Sequence, residues 1–232
     1  MTNEKGLSIC VVNYNTYFFT RLCIEKIREH THLVPYEILV YDNGSTDESL
    51  PWLEAQDDVV LFRGWNNSRT HGDALDFLVR ACSGNVVCTL CSDAHPVSHR
   101  WVVPMFDLFD GKALVGVGKE WGRLIGTYVC PSFLFARRAW LAERTFEHNW
   151  PEWDTGETLS AEAGKDRITF VPYKSVDFGG RFTPKPCDYD GLVWHAWWGT
   201  RRKIPGVIGS EVEANYHSFV TDMLRRKYAL GY

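Results

Sequence analysis

Three short polar segments interrupt apolar runs: Asn13-Tyr14-Asn15, Asp42-Asn43-Gly44-Ser45 and Ser92-Asp93-Ala94-His95. Each follows a run that reads as a strand, so each stands where a parallel sheet ends and where such sheets bind ligands. A carboxylate at one such end can accept a base N–H or a ribose hydroxyl, and one at the next can hold a divalent ion. Asp, Asn, Gly and Ser also favour turns, so any one segment alone reads as turn chemistry. At successive strand ends they read together as a ligand site. His71 stands before a helix opening at Gly72, where backbone N–H groups suit a diphosphate; helix entry alone is the other reading. Trp121, Trp150, Trp153, Trp194, Trp197 and Trp198 offer flat faces to a sugar or a nucleobase. Arg201-Arg202-Lys203 and Arg225-Arg226-Lys227 are basic clusters, either solvated surface or contacts for an anionic acceptor such as DNA.

The elements that must position these residues follow from periodicity. Residues 7–12 are β-rich, and 16–30 carry apolar residues at 18, 19, 22, 23 and 27, a helical spacing. Residues 36–41 form a second strand, after which Ser45-Thr46-Asp47-Glu48 reads as a helix start. Residues 59–62 are a third strand, 72–82 a helix and 85–91 a fully apolar fourth strand. Strands alternating with helices every ~20–25 residues predict right-handed crossovers and a parallel sheet. The second half is less regular. Its expected elements are a helix over 98–109, a strand over 113–118, a short helix over 137–144 and a strand over 168–171. A Gly/Pro-rich stretch over 179–209 and a helix over 211–228 complete the chain.

Composition narrows the function. The 232 residues are 45% apolar and 23% charged, a globular balance that excludes extended disorder. Lys plus Arg number 25 against 29 Asp plus Glu, and the net charge of −4 excludes a generally basic nucleic-acid coat, though not a local basic patch. Ten Trp, ten Tyr and thirteen Phe exceed the needs of a core this size, so some are expected to line a site. No apolar run reaches the ~18–20 residues that span a bilayer, and the polar opening reads as lacking a secretory signal. Seven scattered cysteines, with Cys88 and Cys91 inside an apolar strand and no second pair at zinc spacing, read as buried free thiols of a cytoplasmic protein.

The motifs VVNYNT (11–16), YDNGSTDES (41–49), HGDALD (71–76) and LCSDAHPV (90–97), followed by CPSFLFARRAW (130–140), WDTGETL (153–159) and VWHAWWGTR (193–201), resemble a family-2 glycosyltransferase of GT-A fold. The likeness covers roughly residues 7–201, and its first two motifs are the most specific. It implies an α/β fold: one GT-A domain over 1–232, with a Rossmann-like, mostly parallel sheet flanked by helices. Residues 1–97 would form the nucleotide-sugar half, 98–210 a loop-rich acceptor and catalytic half, and 211–232 a C-terminal helix. It also implies a nucleotide-diphosphate sugar donor, a UDP-sugar first, and inverting transfer.

The resemblance assigns donor binding to Val11, Asn13, Asn15, Asp42, Asn43, Arg69, His71, Gly72, Ser92 and Asp93, with the backbone around Val11 to Asn13 and the Asp42 side chain holding the base. The family's D-x-D metal motif is altered, because its first acidic position is Cys91 and only Asp93 remains. In the family the last acid meets the metal and the first often meets ribose, so the change bears more on ribose than on metal. One or two protein ligands suffice for a hard ion chelated by a diphosphate. His95 and His195 complete the implied metal set with Asp93; imidazole makes Mn²⁺ the expected ion over Mg²⁺. Their other readings are a solvent-facing loop residue for His95 and a ring packed in an aromatic wall for His195.

An inverting transfer needs a base opposite the leaving nucleotide. The matching position is Asp154, with Glu157 one helical turn later; the other reading is a helix cap in which Asp154 and Glu157 form a capping box. Trp153, Trp194, Trp197, Trp198 and Arg201 are the acceptor candidates. The acceptor is a glycan or glycolipid precursor, or a hydroxymethylated DNA base, which the aromatic and basic C-terminal segments suit and the net negative charge opposes. A non-catalytic nucleotide- or glycan-binding protein is the competing reading. A nucleotidyltransferase is disfavoured, since no Gly-rich basic loop follows the first strand.

Overall fold

The computed structural model describes residues 6–146, 152–177, 185–197 and 210–232, the stretch 210–215 by its backbone alone. In chain order the first half runs β1 (Leu7–Asn13), α1 (Tyr17–His30), β2 (Tyr36–Asp42), α2 (Ser49–Glu54), β3 (Val59–Arg63), α3 (His71–Ala81), β4 (Val86–Cys91) and β5 (Ala94–Pro96). The second half runs β6 (Leu114–Gly122), β7 (Gly126–Arg137), α4 (Arg138–Leu141), α5 (Glu157–Ala163), β8 (Ile168–Val171), β9 (Lys174–Ser175), β10 (Cys187–Tyr189), β11 (Val193–His195) and α6 (Ser210–Tyr228).

Among the described residues the main sheet has seven strands in the order β3-β2-β1-β4-β7-β6-β8. β1 pairs in parallel with β2 and β4, and β2 with β3. β7 runs antiparallel to both neighbours, while β6 and β8 are parallel to each other. The expected mostly parallel α/β sheet is therefore present, with β7 as its single reversed strand. The register brings three strand ends together. Asn13 lies opposite Asp42, and Val12 opposite Cys91, so β1, β2 and β4 end level with one another.

Alternation explains the two faces. Ile9, Val11, Ile38, Val40, Cys88 and Leu90 pack on one side against Cys23, Ile24 and Ile27 of α1 and against Trp101. Cys10, Leu39, Tyr41 and Val87 face the other side and meet Ala74, Leu75, Leu78 and Val79 of α3. Strands buried on both faces read as continuous apolar runs, which is why residues 85–91 show no alternation of polarity. A third cluster joins α6 to α1 through Phe18, Phe19 and Leu22 against Tyr216, Val220 and Leu224. Fully burying each such side chain contributes about 1.5–3 kcal/mol.

Three local expectations are corrected. The helix expected to start within 45–48 begins instead at Ser49, with Glu48 as its N-cap, because the Asp42 carboxylate accepts the Gly44 and Ser45 amides at 3.1 and 2.9 Å and makes a turn first. Residues 98–109 are turns leading into a 3-10 helix, Val103–Asp110, that starts next to Pro104 and stops at Gly111 with φ 92°. The longest strand, β7, falls in a region for which periodicity gave no strand. Pro131 interrupts it, and the pairing with β6 shifts register between Gly116 and Gly118, so the proline sits at a bulge where no ladder donor is needed.

Candidate active site

A cleft of about 340 Å³ opens over the level ends of β1, β2 and β4, lined by Val12, Tyr14, Thr16, Asn43, Asn67, Arg69, His71, Cys91, Ser92 and Asp93. Of the expected donor residues, Asn43, Arg69, His71, Ser92 and Asp93 meet here. Asn43 donates to the Asn67 side chain and the Arg69 carbonyl at 2.7 and 2.8 Å, which ties the two walls together. The Arg69 guanidinium donates to the Tyr41 hydroxyl at 3.0 Å and lies over the Phe77 ring, so the cation is held along one wall. His71 opens α3, whose preceding residue Thr70 forms a capping box with Asp73. Gly72 is required by packing, since a Cβ there would lie 2.1 Å from the Phe146 carbonyl.

The other expected donor residues lie beneath the cleft. Asp42 is fully buried, and its carboxylate accepts Asn13 Nδ2 at 2.6 Å as well as the two turn amides. Asn13 is equally committed. Its Nδ2 also donates to Ser45 and Ser49, and its Oδ1 accepts Thr16 and Thr20. Where the Asp42 side chain was expected to hold the base, the structure shows its carboxylate fixing the loop that carries Asn43. Asn15, at φ 53°, accepts the Thr46 amide through its side chain and braces the same loop. Val11 points into the core, and its neighbour Val12 lines the cleft instead.

At the far end of the cleft β11 pairs with β5, setting His195 opposite Ala94 and beside Asp93. His195 Nε2 lies 3.1 Å from Asp93 Oδ1, a contact between residues 102 positions apart in the chain. Tyr189 hydrogen-bonds His195 Nδ1 and in turn reaches Ser132 at 3.2 Å, so the ring is fixed through its other nitrogen. The ligand atoms of Cys91, Asp93 and His195 all lie within 4.8 Å of one another, and this is the group of metal-capable side chains present among the described residues. A carboxylate, an imidazole held through its other nitrogen and a thiol fit a divalent transition ion. His95 is not part of this group. Its Nε2 bonds the Tyr228 hydroxyl at 2.9 Å, its ring packs on Trp194, and burial pushes its pKa down to about 3. The expected metal role for His95 is replaced by a neutral ring that joins β5 to α6.

The two acids of the third motif are separated by their partners. Glu157 is buried at the first turn of α5 and accepts the Asp154 amide at 2.7 Å and the Leu124 amide at 2.9 Å. It clamps the β6–β7 turn and the approach to α5. Asp154 points elsewhere: its Oδ2 accepts from Lys119 Nζ and from the Tyr128 hydroxyl at 2.7 Å, and its Oδ1 accepts the Thr155 amide at 2.8 Å. The helix N-cap is Gly156 at φ 97°, with no side-chain cap, so Asp154 does not close a capping box. Burial raises the Asp154 carboxyl, but the hydrogen bonds from Lys119 and Tyr128 outweigh it and hold the group below the usual carboxylate range. It is therefore ionised at neutral pH.

Among the acceptor candidates, Trp194 is buried in the α1–α6 cluster and has no open face. Trp197 is half-buried; its ring lies 5.4 Å from His195 and 6.4 Å from the exposed Trp121, edge to face. Trp153 is half-buried and its buried Nε1 has no hydrogen-bond partner among the described residues. Trp198 and Arg201 lie outside the described residues. Lys119, Tyr128 and Tyr189 were not foreseen. No local motif marks them, because each acts on a partner distant in sequence or in a strand that periodicity missed.

The glycosyl transferase family 2 model matches residues 8–123, half of the chain. The chain belongs to the family-2 glycosyltransferases. Among solved structures it is similar to the mannosyltransferase PcManGT of Pyrobaculum calidifontis in complex with GDP-Man and Mn²⁺, at 16% identity and TM-score 0.58, covering 94% of this chain and 65% of that one. It is similar to S. aureus TarS 1-349 with UDP-GlcNAc at 16% identity and TM-score 0.53, covering 72% and 56%. A third is glucosyl-3-phosphoglycerate synthase of Mycobacterium tuberculosis with Mn²⁺ and UDP-Glc, at 18% identity and TM-score 0.52, covering 72% and 68%. The family-2 chain thus spans less than two thirds of the first two of these proteins, and the likeness establishes the GT-A fold. No curated protein matches it by sequence. No helix among its described residues is long and apolar enough to cross a membrane.

Proposed function

We propose that this chain transfers a sugar, with inversion, from a nucleotide-diphosphate donor to an acceptor hydroxyl. The observation that carries the reading is the arrangement at one end of the sheet. A cleft lined by Asn43, Arg69 and His71 runs to the Asp93–His195 pair, and Trp197 and Trp121 lead from that pair to the β6 strand that holds Lys119 against Asp154. Asn43 and the main chain at its strand end take the base, UDP-sugars being the first donors to try. Arg69 and His71 face the diphosphate from the α3 side, where helix N–H groups add to the positive field.

Asp93 and His195 would hold a divalent ion, which would supply Lewis-acid stabilisation of the charge on a departing diphosphate. Asp154 is the base. It takes the acceptor hydroxyl proton, and Lys119 and Tyr128 keep it ionised and aimed while Glu157 fixes the backbone beneath it. Trp121, Trp153 and Trp197 offer the acceptor its aromatic surface. Residues 1–97 supply the donor half and 98–210 the acceptor half.

The test is incubation of the purified chain with UDP-, GDP- and TDP-sugars, each with glycan, glycolipid and hydroxymethylated-DNA acceptors. Products are read by mass spectrometry and by release of nucleoside diphosphate. Transfer that stops in excess chelator and with Asp154→Asn supports the reading. Nucleotide binding without turnover on every acceptor would favour a non-catalytic binding protein.

A further inference from the structure

We propose that Cys91 is a metal ligand, so that the ion site is a sulfur–nitrogen–oxygen triad selective for thiophilic divalent ions of the zinc and cobalt type over Mg²⁺. The proposal rests on the reading of Asp93 and His195 as the metal-holding pair and adds a third donor to it.

Four observations place the sulfur there. Cys91 is the last residue of β4, level with Val12 at the strand ends, so the pairing itself delivers its side chain to the cleft. Its Sγ lies within 4.8 Å of both the Asp93 and the His195 ligand atoms, and the latter two are already 3.1 Å apart. Donors around a tetrahedral ion with bonds of 2.0–2.3 Å stand about 3.3–3.6 Å apart, so only a small side-chain adjustment separates this triad from a coordination sphere. Other thiols have partners of their own. Cys10 meets Cys82 at 3.4 Å, Cys88 donates to the Thr89 carbonyl and Cys187 to the Lys185 carbonyl, whereas the Cys91 thiol makes no side-chain hydrogen bond among the described residues. Finally, Tyr189 holds Nδ1 of His195, which directs Nε2 toward the same point.

Softness decides the ion. Mg²⁺ demands hard oxygen ligands, whereas a thiolate and an imidazole bind borderline and soft ions far better. Binding displaces the thiol proton to solvent and forms the metal–sulfur bond, with no change in oxidation state. Three protein donors leave a fourth position open, the arrangement of a catalytic rather than a structural site.

The experiment is titration of the chelator-treated chain with Co²⁺, read by absorbance. The expected result is a near-ultraviolet thiolate-to-cobalt charge-transfer band. The band is absent from Cys91→Ser, retained in the control Cys130→Ser and displaced by Zn²⁺ but not by equal Mg²⁺. Cys91→Ser is expected to lose at least about tenfold in Zn²⁺ affinity, since even outer ligand partners contribute 10–100-fold. Cys91→Asp, which restores an acid at this position, keeps the visible cobalt bands and lacks the sulfur band; it covers the case in which the Ser variant fails to fold by circular dichroism. Visible cobalt bands without charge transfer, or charge transfer that survives Cys91→Ser, would overturn the sulfur ligand and leave the Asp93–His195 site standing. A chain that binds neither Co²⁺ nor Mn²⁺ overturns both.

Discussion

Replacing Asp154 with Asn tests the proposed base while keeping much of what its position does structurally. Asn keeps the shape and can still accept the Thr155 amide through Oδ1, but the atom facing Lys119 Nζ and the Tyr128 hydroxyl becomes a donor. The Tyr128 hydroxyl can rotate to accept; Lys119 cannot, and it loses its counter-ion. Both side chains of that pair are about a quarter exposed, at 23% and 25%, so water compensates part of the loss and the folding cost is about 1–2 kcal/mol. For a chain of this size that lowers Tm by roughly 2–4 °C per kcal/mol. Removing a general base costs ~10²–10⁴ in turnover, or about 3–5 kcal/mol of barrier. The two effects are separable, because a protein stable by about 5–15 kcal/mol stays folded after such a loss. Nucleoside-diphosphate release at saturating donor and acceptor measures the first effect, and a thermal melt the second. Glu157→Gln is the matched control. It disturbs the Leu124 or Asp154 amide and costs about 1–3 kcal/mol of stability, with turnover changed less than about tenfold. Asp154→Asn retaining more than a tenth of the wild-type rate, or Glu157→Gln losing more than Asp154→Asn, would refute the assignment.

Asp42→Asn is expected to destabilise the fold by about 1–3 kcal/mol while nucleotide affinity per folded molecule changes less than about threefold, because the carboxylate serves Asn13, Gly44 and Ser45; melts and UDP titrations check this. Gly72→Ala forces a Cβ against the Phe146 carbonyl and should cost about 1–3 kcal/mol, read as a lowered melting temperature. Burial opposes ionisation of Glu37, but hydrogen bonds from Ser8, Ser83 and Gly84 outweigh it and hold the carboxyl below its usual range. The folded-state pKa is depressed, so the stabilisation is present above the ordinary glutamate value of about 4.3 and fades as pH falls through the lower folded value. The melting temperatures of wild type and Glu37→Gln should therefore converge on acidification; a gap that stays constant down to strongly acidic pH contradicts this.

The parallel half of the fold was legible because its strands are buried on both faces and its helices carry a 3.6-residue stripe. β7 was not, since Pro131 breaks the run and its pairing is with β4, at Leu90 far upstream, and with β6 across a hairpin whose register shifts. In the site, residue type identified the region and not the role. Asp42 and Asp93 both follow apolar strands, yet one is consumed by an Asx turn and the other faces a cleft. Asp-Asn-Gly-Ser is a turn signature as much as a ligand signature, and only the register of β1 on β2 shows that Asn13 occupies the Asp42 carboxylate. By pattern Asp154 took the aspartate position, with Glu157 one helical turn later as the second candidate. What tells them apart is Lys119 and Tyr128, which lie 35 and 26 residues upstream of Asp154. His95 and His195 differ likewise: Tyr228 takes the first and Asp93 the second.

The 102-residue span between Asp93 and His195 sets a timetable for the newly made chain. The bonds around Asn13 reach only as far as Ser49, and the cleft walls are complete by Asp93, so a nascent polypeptide can shape that half while its remainder is still being translated. His195 emerges some hundred residues later, carried on a small sheet whose placement depends on β5 and on α6 packing over α1. The fold thereby delays assembly of the Asp93–His195 pair until some hundred residues beyond Asp93 have been made.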